Sequence, residues 1–184
     1  MAPPAIVAIS GSRRTQSYTK RSLQHALRAA EAAGATTELI DLGAVELPLY
    51  HPGHEESAEL EALLRTVREA DGVMVGSPVY HGSYSSTFKN FHDYCGFDEF
   101  SDTAVGLLAV AGGSSYGSTL DHMRITVRGV HGWVMPHQVG IPNVRKQFDE
   151  AGYVDPALEA RVEKLGTQIV EYAQRLRRPI DEAH

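Results

Sequence analysis

Residues 9–20, ISGSRRTQSYTK, crowd hydroxyl and guanidinium groups into one turn. Ser12, Thr15, Ser17 and Thr19 offer hydroxyls, and Arg14 adds a planar fork suited to phosphate oxygens. Gly11 follows a short apolar run directly, where the chain must turn with no side chain in the way. A helix opening near Ser17 leaves its first backbone N–H groups without partners inside the helix, and with the helix dipole they favour an anion. An N-cap and a solvated turn use the same residue types, so both readings stand at this point. The loop lacks the second glycine and the lysine of a nucleoside-triphosphate loop. It also lacks the G-x-G-x-x-G of a dinucleotide fingerprint, which leaves Asp41 a weak stand-in for a ribose-binding acid. A terminal monophosphate, wrapped by hydroxyls at one helix end, fits better.

Two more stretches carry unusual chemistry. In SPVYHGSYSSTFKNFHD, Ser77 to Asp93, Pro78 stiffens a turn, Gly82 lets backbone approach a flat ligand, and Tyr80 and His81 offer edge or face contacts. A plain helix-capping loop with Lys89 and Asn90 solvated is the alternative. In AGGSSYGS, Gly113, Ser114, Ser115, Tyr116 and Gly117 spell G-x-S-x-G between a strand and a helix, the setting of a hydrolase nucleophile elbow. Ser115 is then the nucleophile, with Asp121 and either His131 or His137 following in the order of an acid and a base. No upstream H-G-G-G-type oxyanion segment accompanies it, and the arginine-bearing first loop stays unexplained.

The elements that must position these loops alternate. Strands are predicted at Ala5–Ser10, Thr36–Leu42, Gly72–Ser77, Ala104–Ala111 and Gly132–Pro136. Helical spacing follows each: Leu23, Ala26, Leu27 and Ala30 up to Gly34, then Ser57 to Glu69, then Phe88, Phe91 and Tyr94. Leu120, Met123 and Val127 mark the next helix, and Pro156–Arg175 the last, with Leu158, Val162, Leu165, Ile169 and Tyr172 inward. Apolar strands alternating with amphipathic helices predict one α/β domain over residues 1–184: a doubly wound sheet of five parallel strands, order 2-1-3-4-5. The three unusual loops follow the first, third and fourth strands, which are neighbours in that order, so they converge on one site.

Composition narrows the classes. A net charge of −6 over 184 residues argues against a general nucleic-acid binder. The opening MAPPAIVAIS has no charged leader region, and no run nears the roughly 20 apolar residues of a membrane helix. Cys95 is the one cysteine, so no disulfide framework is expected; it reads as a packed small side chain, and a reducing cytoplasm suits it. Among nine histidines, His51 and His54 lie beside Glu55 and Glu56, but no zinc-type spacing occurs, and no functional metal is expected. Trp133 is expected in the core, and the arginines of RLRR, 175–178, on a solvated helix end.

At its first two loops the chain resembles the NADPH-dependent FMN reductase family. Gly11, Ser12, Arg14, Ser17, Tyr18 and Thr19 match that family's first motif; Pro78, Tyr80, Gly82, Ser83, Lys89 and Asn90 match its second. Val79 stands where the family commonly has glutamate and His81 where it has asparagine, which alters the hydrogen bonding around the ring. The resemblance implies a flavodoxin-like three-layer fold, FMN as cofactor and NADPH as reductant. It further implies ping-pong hydride transfer to a small acceptor (quinone, azo compound, metal ion or free flavin), and a homodimer or homotetramer. The residues implied for FMN are Ser10, Ser12, Arg14, Ser17, Tyr18 and Thr19; Pro78, Val79, Tyr80, His81, Gly82 and Ser83; and Gly113, Ser114, Ser115 and Tyr116. No catalytic side chain is implied, because hydride passes directly to the flavin. An outward-pointing Arg13 is expected to pair with the 2′-phosphate of NADPH. A flavodoxin-type electron carrier is the alternative within the same fold, with Tyr80 and Tyr116 shielding the ring.

Overall fold

The computed structural model describes residues 2–53, 57–150 and 152–177. Five parallel strands form one sheet: β1 (Ala5–Ser10), β2 (Thr36–Asp41), β3 (Gly72–Pro78), β4 (Ala104–Val110) and β5 (Trp133–Ile141). Their order is β2-β1-β3-β4-β5, the order expected from the alternation of elements. The helices are α1 (Tyr18–Ala32), α2 (Ala58–Arg68), α3 (Ser86–Tyr94), α4 (Phe97–Phe100), α5 (Gly117–Gly129) and α6 (Pro156–Leu176). No helix among the described residues is long and apolar enough to cross a membrane.

Period-2 alternation splits the core between the two faces of the sheet. Ile6, Ala8, Met74 and Leu108 pack with Leu23, Ala26, Leu165 and Ile169, placing α1 and α6 on one side. Val7, Ile9, Val73, Val75, Leu107 and Ala109 pack with Leu64, Phe88, Phe91, Leu120 and Met123 on the other. β3 and β4 are buried at every position, as central strands covered on both faces must be. Ser17, Ser57, Ser85 and Asp155 cap α1, α2, α3 and α6, each side chain accepting a backbone N–H of the first turn.

The structure corrects three expectations. β5 does not stop at Pro136 but runs on to Ile141. Its register jumps from Val105↔Val134 to Leu107↔Gln138, so residues 135–137 loop past Gly106 as an irregularity that absorbs the proline. Proline is tolerated because β5 is an edge strand. Trp133, expected in the core, begins that edge strand and is 59% exposed. The helix α4 was not foreseen; it is one turn, with the Gly96 N–H donating to Glu99 Oε2 at 2.7 Å and the buried Glu99 paired with Arg68 at 2.8 Å. Cys95 is buried, as expected, and burial pushes its thiol pKa up.

His92 lies between Phe88 and Phe100, ring centroids 5.4 Å away in each case. Burial first, and the nearby Lys89 second, lower its pKa from 6.5 to about 4. The unfolded chain protonates this imidazole at a higher pH than the folded chain does. Its contribution is therefore complete above pH 6.5 and lost as the pH falls towards 4. At about 1.36 kcal/mol per unit, roughly 3 kcal/mol is involved. Urea unfolding at pH 7 and pH 4 is expected to show this loss in the native protein and a flatter profile in His92→Phe. Equal slopes in the two would contradict the assignment.

Candidate functional site

The sheet's hydrogen bonding continues past the carboxyl ends of the strands and ties the loops to one another. The Gly11 N–H donates to the Gly76 carbonyl at 2.8 Å, and the Val79 N–H to the Val110 carbonyl at 2.8 Å. The Ala111 N–H donates to Ile141, the Val144 N–H to Ala111, and the Asn143 N–H to Gly113 at 2.7 Å. Ser85 joins the first two loops through its side chain. Its hydroxyl donates to the Gly11 carbonyl at 2.6 Å and accepts the Phe88 N–H at 3.1 Å. Gly11 has no room for a side chain, since a Cβ there would lie 2.8 Å from the Phe88 Cβ.

The second loop is a tight hairpin. Tyr80 and Ser83 exchange backbone hydrogen bonds at 2.9 and 3.0 Å, while His81 (φ 50°) and Gly82 (φ 79°) hold the left-handed turn between them. Two positive φ values in a two-residue turn are the hairpin geometry that asparagine–glycine favours, and histidine also visits this region more than most residues. The helix α5 braces the hairpin. The Ser118 hydroxyl donates to the Gly82 carbonyl at 2.7 Å, and Ser83 Oγ meets His122 Nδ1 at 3.0 Å.

A cavity of about 410 Å³ opens where these loops meet. Ser12, Arg14, Tyr18 and Thr19 line it from the first loop and the start of α1, and Pro78, Val79 and Tyr80 from the second loop. Val110 and Gly112 close the β4 side, and Val144 and Arg145 come from beyond β5. One part of this wall is hydroxyls and a guanidinium; the other is largely apolar. Sequence reading missed Val144 and Arg145, because the short 3₁₀ turn they occupy (Val144–Lys146) follows the stretch in which β5 was cut short.

Other expected positions lie elsewhere. Ser10 is fully buried at the end of β1, its hydroxyl without a partner among the described residues. Ser17 spends its side chain capping α1, accepting the Lys20 N–H at 3.1 Å, and lines an adjoining cavity instead. His81 and Gly82 are exposed at the hairpin tip and Ser83 is half-buried beside it. Gly113, Ser114 and Ser115 form an exposed rim. Tyr116 packs against β5 so closely that any Cβ at Gly140 would fall inside its ring. Asn90 is not merely solvated: it accepts the Tyr50 N–H at 2.9 Å and donates to the Pro48 carbonyl at 2.8 Å, pinning the loop after β2. Asp41 pairs with Lys20 at 2.8 Å and accepts the Gly43 N–H at 3.1 Å.

The hydrolase constellation does not assemble. Ser115 follows the carboxyl end of β4, while His131 precedes the amino end of β5, so a strand length of about 20 Å separates them. His131 stacks on Phe97 with centroids 4.5 Å apart, His137 Nε2 contacts the Arg161 carbonyl at 2.9 Å, and Asp121 pairs with Arg124 at 2.8 Å. For metals, His54, Glu55, Glu56 and Arg178 lie outside the described residues. Among the described residues His25, Glu159 and Glu163 gather with ligand atoms within 4.8 Å. The Arg28 guanidinium donates to His25 Nδ1 at 3.1 Å, which places the imidazole proton on Nε2, facing the carboxylates.

The profile of the NADPH-dependent FMN reductase family matches residues 4–146. An FMN-dependent NADPH-azoreductase of Staphylococcus saprophyticus is 30% identical over 177 residues, covering 90% of this chain and 93% of that one. An NADPH azoreductase of Bacillus sp. strain OY1-2 is 42% identical over 119 residues, 62% of this chain and 66% of that one. Among solved structures, an NADH:FMN oxidoreductase in its apo form superposes with a TM-score of 0.77 at 23% identity, covering 98% of this chain and 94% of the other. An archaeal flavodoxin shares the fold with a TM-score of 0.68 at 15% identity, covering 92% and 99%.

Replacing Ser85 by alanine is expected to remove both the α3 cap and the partner of the Gly11 carbonyl. The cost is about 2–4 kcal/mol, from about 1 for the cap and 1–3 for the orphaned carbonyl. Calorimetry should show a melting temperature lower by about 5–15 °C, at 2–4 °C per kcal/mol for a chain of this size. Ser85→Thr, which keeps the hydroxyl, should recover most of it; no loss in the alanine variant would remove Ser85 from its linking role.

Proposed function

Because this chain belongs to the NADPH-dependent FMN reductase family, we propose that the 410 Å³ cavity holds its FMN and leaves one ring face open to both partners in turn. Membership makes the chain an oxidoreductase that works with FMN and NADPH. The observation that carries the placement is the convergence of three loops and the α1 N-terminus on one cavity of matching chemistry. The donor set fits the group: hydroxyls, a guanidinium and unpaired helix N–H groups suit a phosphate, and the apolar walls suit a flat ring. Gly11 and the tight hairpin at His81–Gly82 keep side chains out of the backbone approach.

Bound there, FMN supplies the redox chemistry, taking a hydride from NADPH and delivering the two electrons to an acceptor. The chain's part is placement. Ser12, Thr19 and Arg14 hold the phosphate, and Arg14 offsets its charge, which favours the reduced anionic flavin. Pro78, Val79 and Tyr80 set one side of the ring, and Gly112 and Val144 the other. Val79 offers no carboxylate at the position where the family motif commonly has one, which leaves that stretch of the wall apolar. The acceptor is a small oxidised molecule; the names of the relatives favour an azo compound, and quinones share the same two-electron demand. Arg14 at the phosphate end favours an enzyme over a flavodoxin-type carrier. The buried thiol of Cys95 suits a reducing cytoplasm. Exposed Leu49, Tyr80 and Ile125 are apolar surface of the kind a second copy would cover, in keeping with a homodimer or homotetramer.

The test is a visible spectrum with added FMN, followed by NADPH without oxygen. The bound flavin is expected to bleach rapidly and to recolour on adding an azo compound or a quinone. Arg14→Ala is expected to weaken FMN binding about 10–100-fold, the worth of one charged hydrogen bond. A bound flavin that NADPH cannot reduce would favour the carrier, and unchanged FMN affinity in Arg14→Ala would remove that residue from the phosphate.

A further inference from the structure

One face of α5 carries a polar residue at every fourth position: Ser118, His122 and Thr126. That spacing sets them in one stripe along the helix, about 12 Å long at 1.5 Å per residue. Each meets one of three consecutive residues of the second loop. The Ser118 hydroxyl donates to the Gly82 carbonyl at 2.7 Å, and His122 Nδ1 stands 3.0 Å from Ser83 Oγ. Thr126 Oγ1 stands 3.2 Å from the Tyr84 hydroxyl. Thr126 gives its own proton to the His122 carbonyl at 2.8 Å, so Tyr84 is the donor in the third pair. Loop and helix thus run in step, with 82 on 118, 83 on 122 and 84 on 126.

The helix is a firm support. Its inward face, Thr119, Leu120, Met123 and Val127, is buried. At its start Tyr116 lies flat against Gly140 of β5, leaving no space for a Cβ. The hairpin has little packing of its own. His81 and Gly82 are exposed, and Ser83 and Tyr84 are half-buried. Hydrogen bonds this near to solvent add little to global stability, so the effect of the stripe is local: it fixes the tilt of the hairpin on the body. Ser83, implied for FMN by the family motif, turns its hydroxyl to His122 and does not line the cavity.

Tyr80 is the member of the hairpin that lines the cavity. It is 44% exposed, so packing does not hold it; its place is set by the two backbone hydrogen bonds it exchanges with Ser83. Whatever holds Gly82 and Ser83 therefore holds Tyr80. We infer that Ser118 and His122 are positioning residues for the flavin site: neither lines the cavity, and both act through the hairpin to fix Tyr80 as one wall of it. The inference rests on the functional reading above. A wall that must meet a flat ring tolerates little displacement, and support from a packed helix is what keeps it in place.

FMN titration followed by flavin fluorescence tests it. Ser118→Ala and His122→Leu are each expected to weaken FMN binding about 3–10-fold. The melting temperature of the cofactor-free protein should change by less than about 5 °C. Ser118→Thr and His122→Asn, which keep a polar group near the same place, should restore most of the affinity. In a Tyr80→Ala background the same two substitutions should change FMN affinity by less than about twofold, because the wall they position is gone. Unchanged affinity in both variants, or full-sized losses in the Tyr80→Ala background, would overturn the inference. A melting temperature lowered by about 10 °C or more would make the role merely structural and overturn it as well. Amide exchange in the cofactor-free protein gives an independent reading. Both variants should speed exchange at the Tyr80 and Ser83 N–H groups and leave β3 and α3 as they were; no change at the hairpin would count against the brace. If the native protein binds no FMN, the functional reading falls, and amide exchange still decides whether α5 holds the hairpin.

Discussion

Ser85 sits where the first loop and the second are joined. A single hydroxyl donates to the carbonyl of Gly11 and accepts the N–H that opens α3. Ser77 Oγ, buried beside it, accepts the Ser85 N–H at 2.9 Å and so fixes the backbone that carries this hydroxyl. The junction works only because Gly11 leaves the space into which α3 presses with Phe88. Were the loops not tied, each would be an independent surface turn, and the hydroxyls of one would have no defined relation to the hairpin of the other.

From that junction the rest of the site follows by propagation of the sheet. Hydrogen bonds that begin as ladders in β1, β3, β4 and β5 run one to three residues past the strand ends, from Gly11 to Gly76, from Val79 to Val110 and from Val144 to Ala111. The buried central strands β3 and β4, with β1 and β5 beside them, thus hold loops whose tips are open to solvent. The arrangement separates two tasks along one rim. Hydroxyls of Ser12 and Thr19 line one side of the cavity at α1, while Tyr80, Val110 and Val144 give the other side an apolar surface. Positive charge gathers around the first loop and α1 on Arg13, Lys20 and Arg21, and Arg14 and Arg145 carry it into the cavity wall itself.

Much of this was legible in the sequence. Strand–helix alternation predicted the order of the sheet, and Ser17 and Ser57 marked the starts of α1 and α2 within a residue. The first loop stands out because hydroxyls and arginines are crowded beside a glycine at the start of a helix. What escaped notice had physical reasons. Pro136 reads as a strand end, yet an edge strand tolerates it by looping residues 135–137 past Gly106, and nothing in the pattern beyond it signals that Arg145 reaches the cavity. Trp133 reads as core by its type, but its place at the start of the edge strand leaves it in water. Tyr116 folds down on the sheet, which the absence of a side chain at Gly140 allows, and no local pattern signals that packing. The G-x-S-x-G at Ser115 is a local pattern whose would-be histidine at 131 lies at the opposite end of the strands.

The most direct measurement is a crystal structure of the protein grown with FMN. A phosphate is expected at the α1 N-terminus within reach of Ser12, Arg14 and Thr19, with the ring between Tyr80 and Val144. A flavin found elsewhere, such as in the depression lined by Arg128 and Trp133, would contradict it.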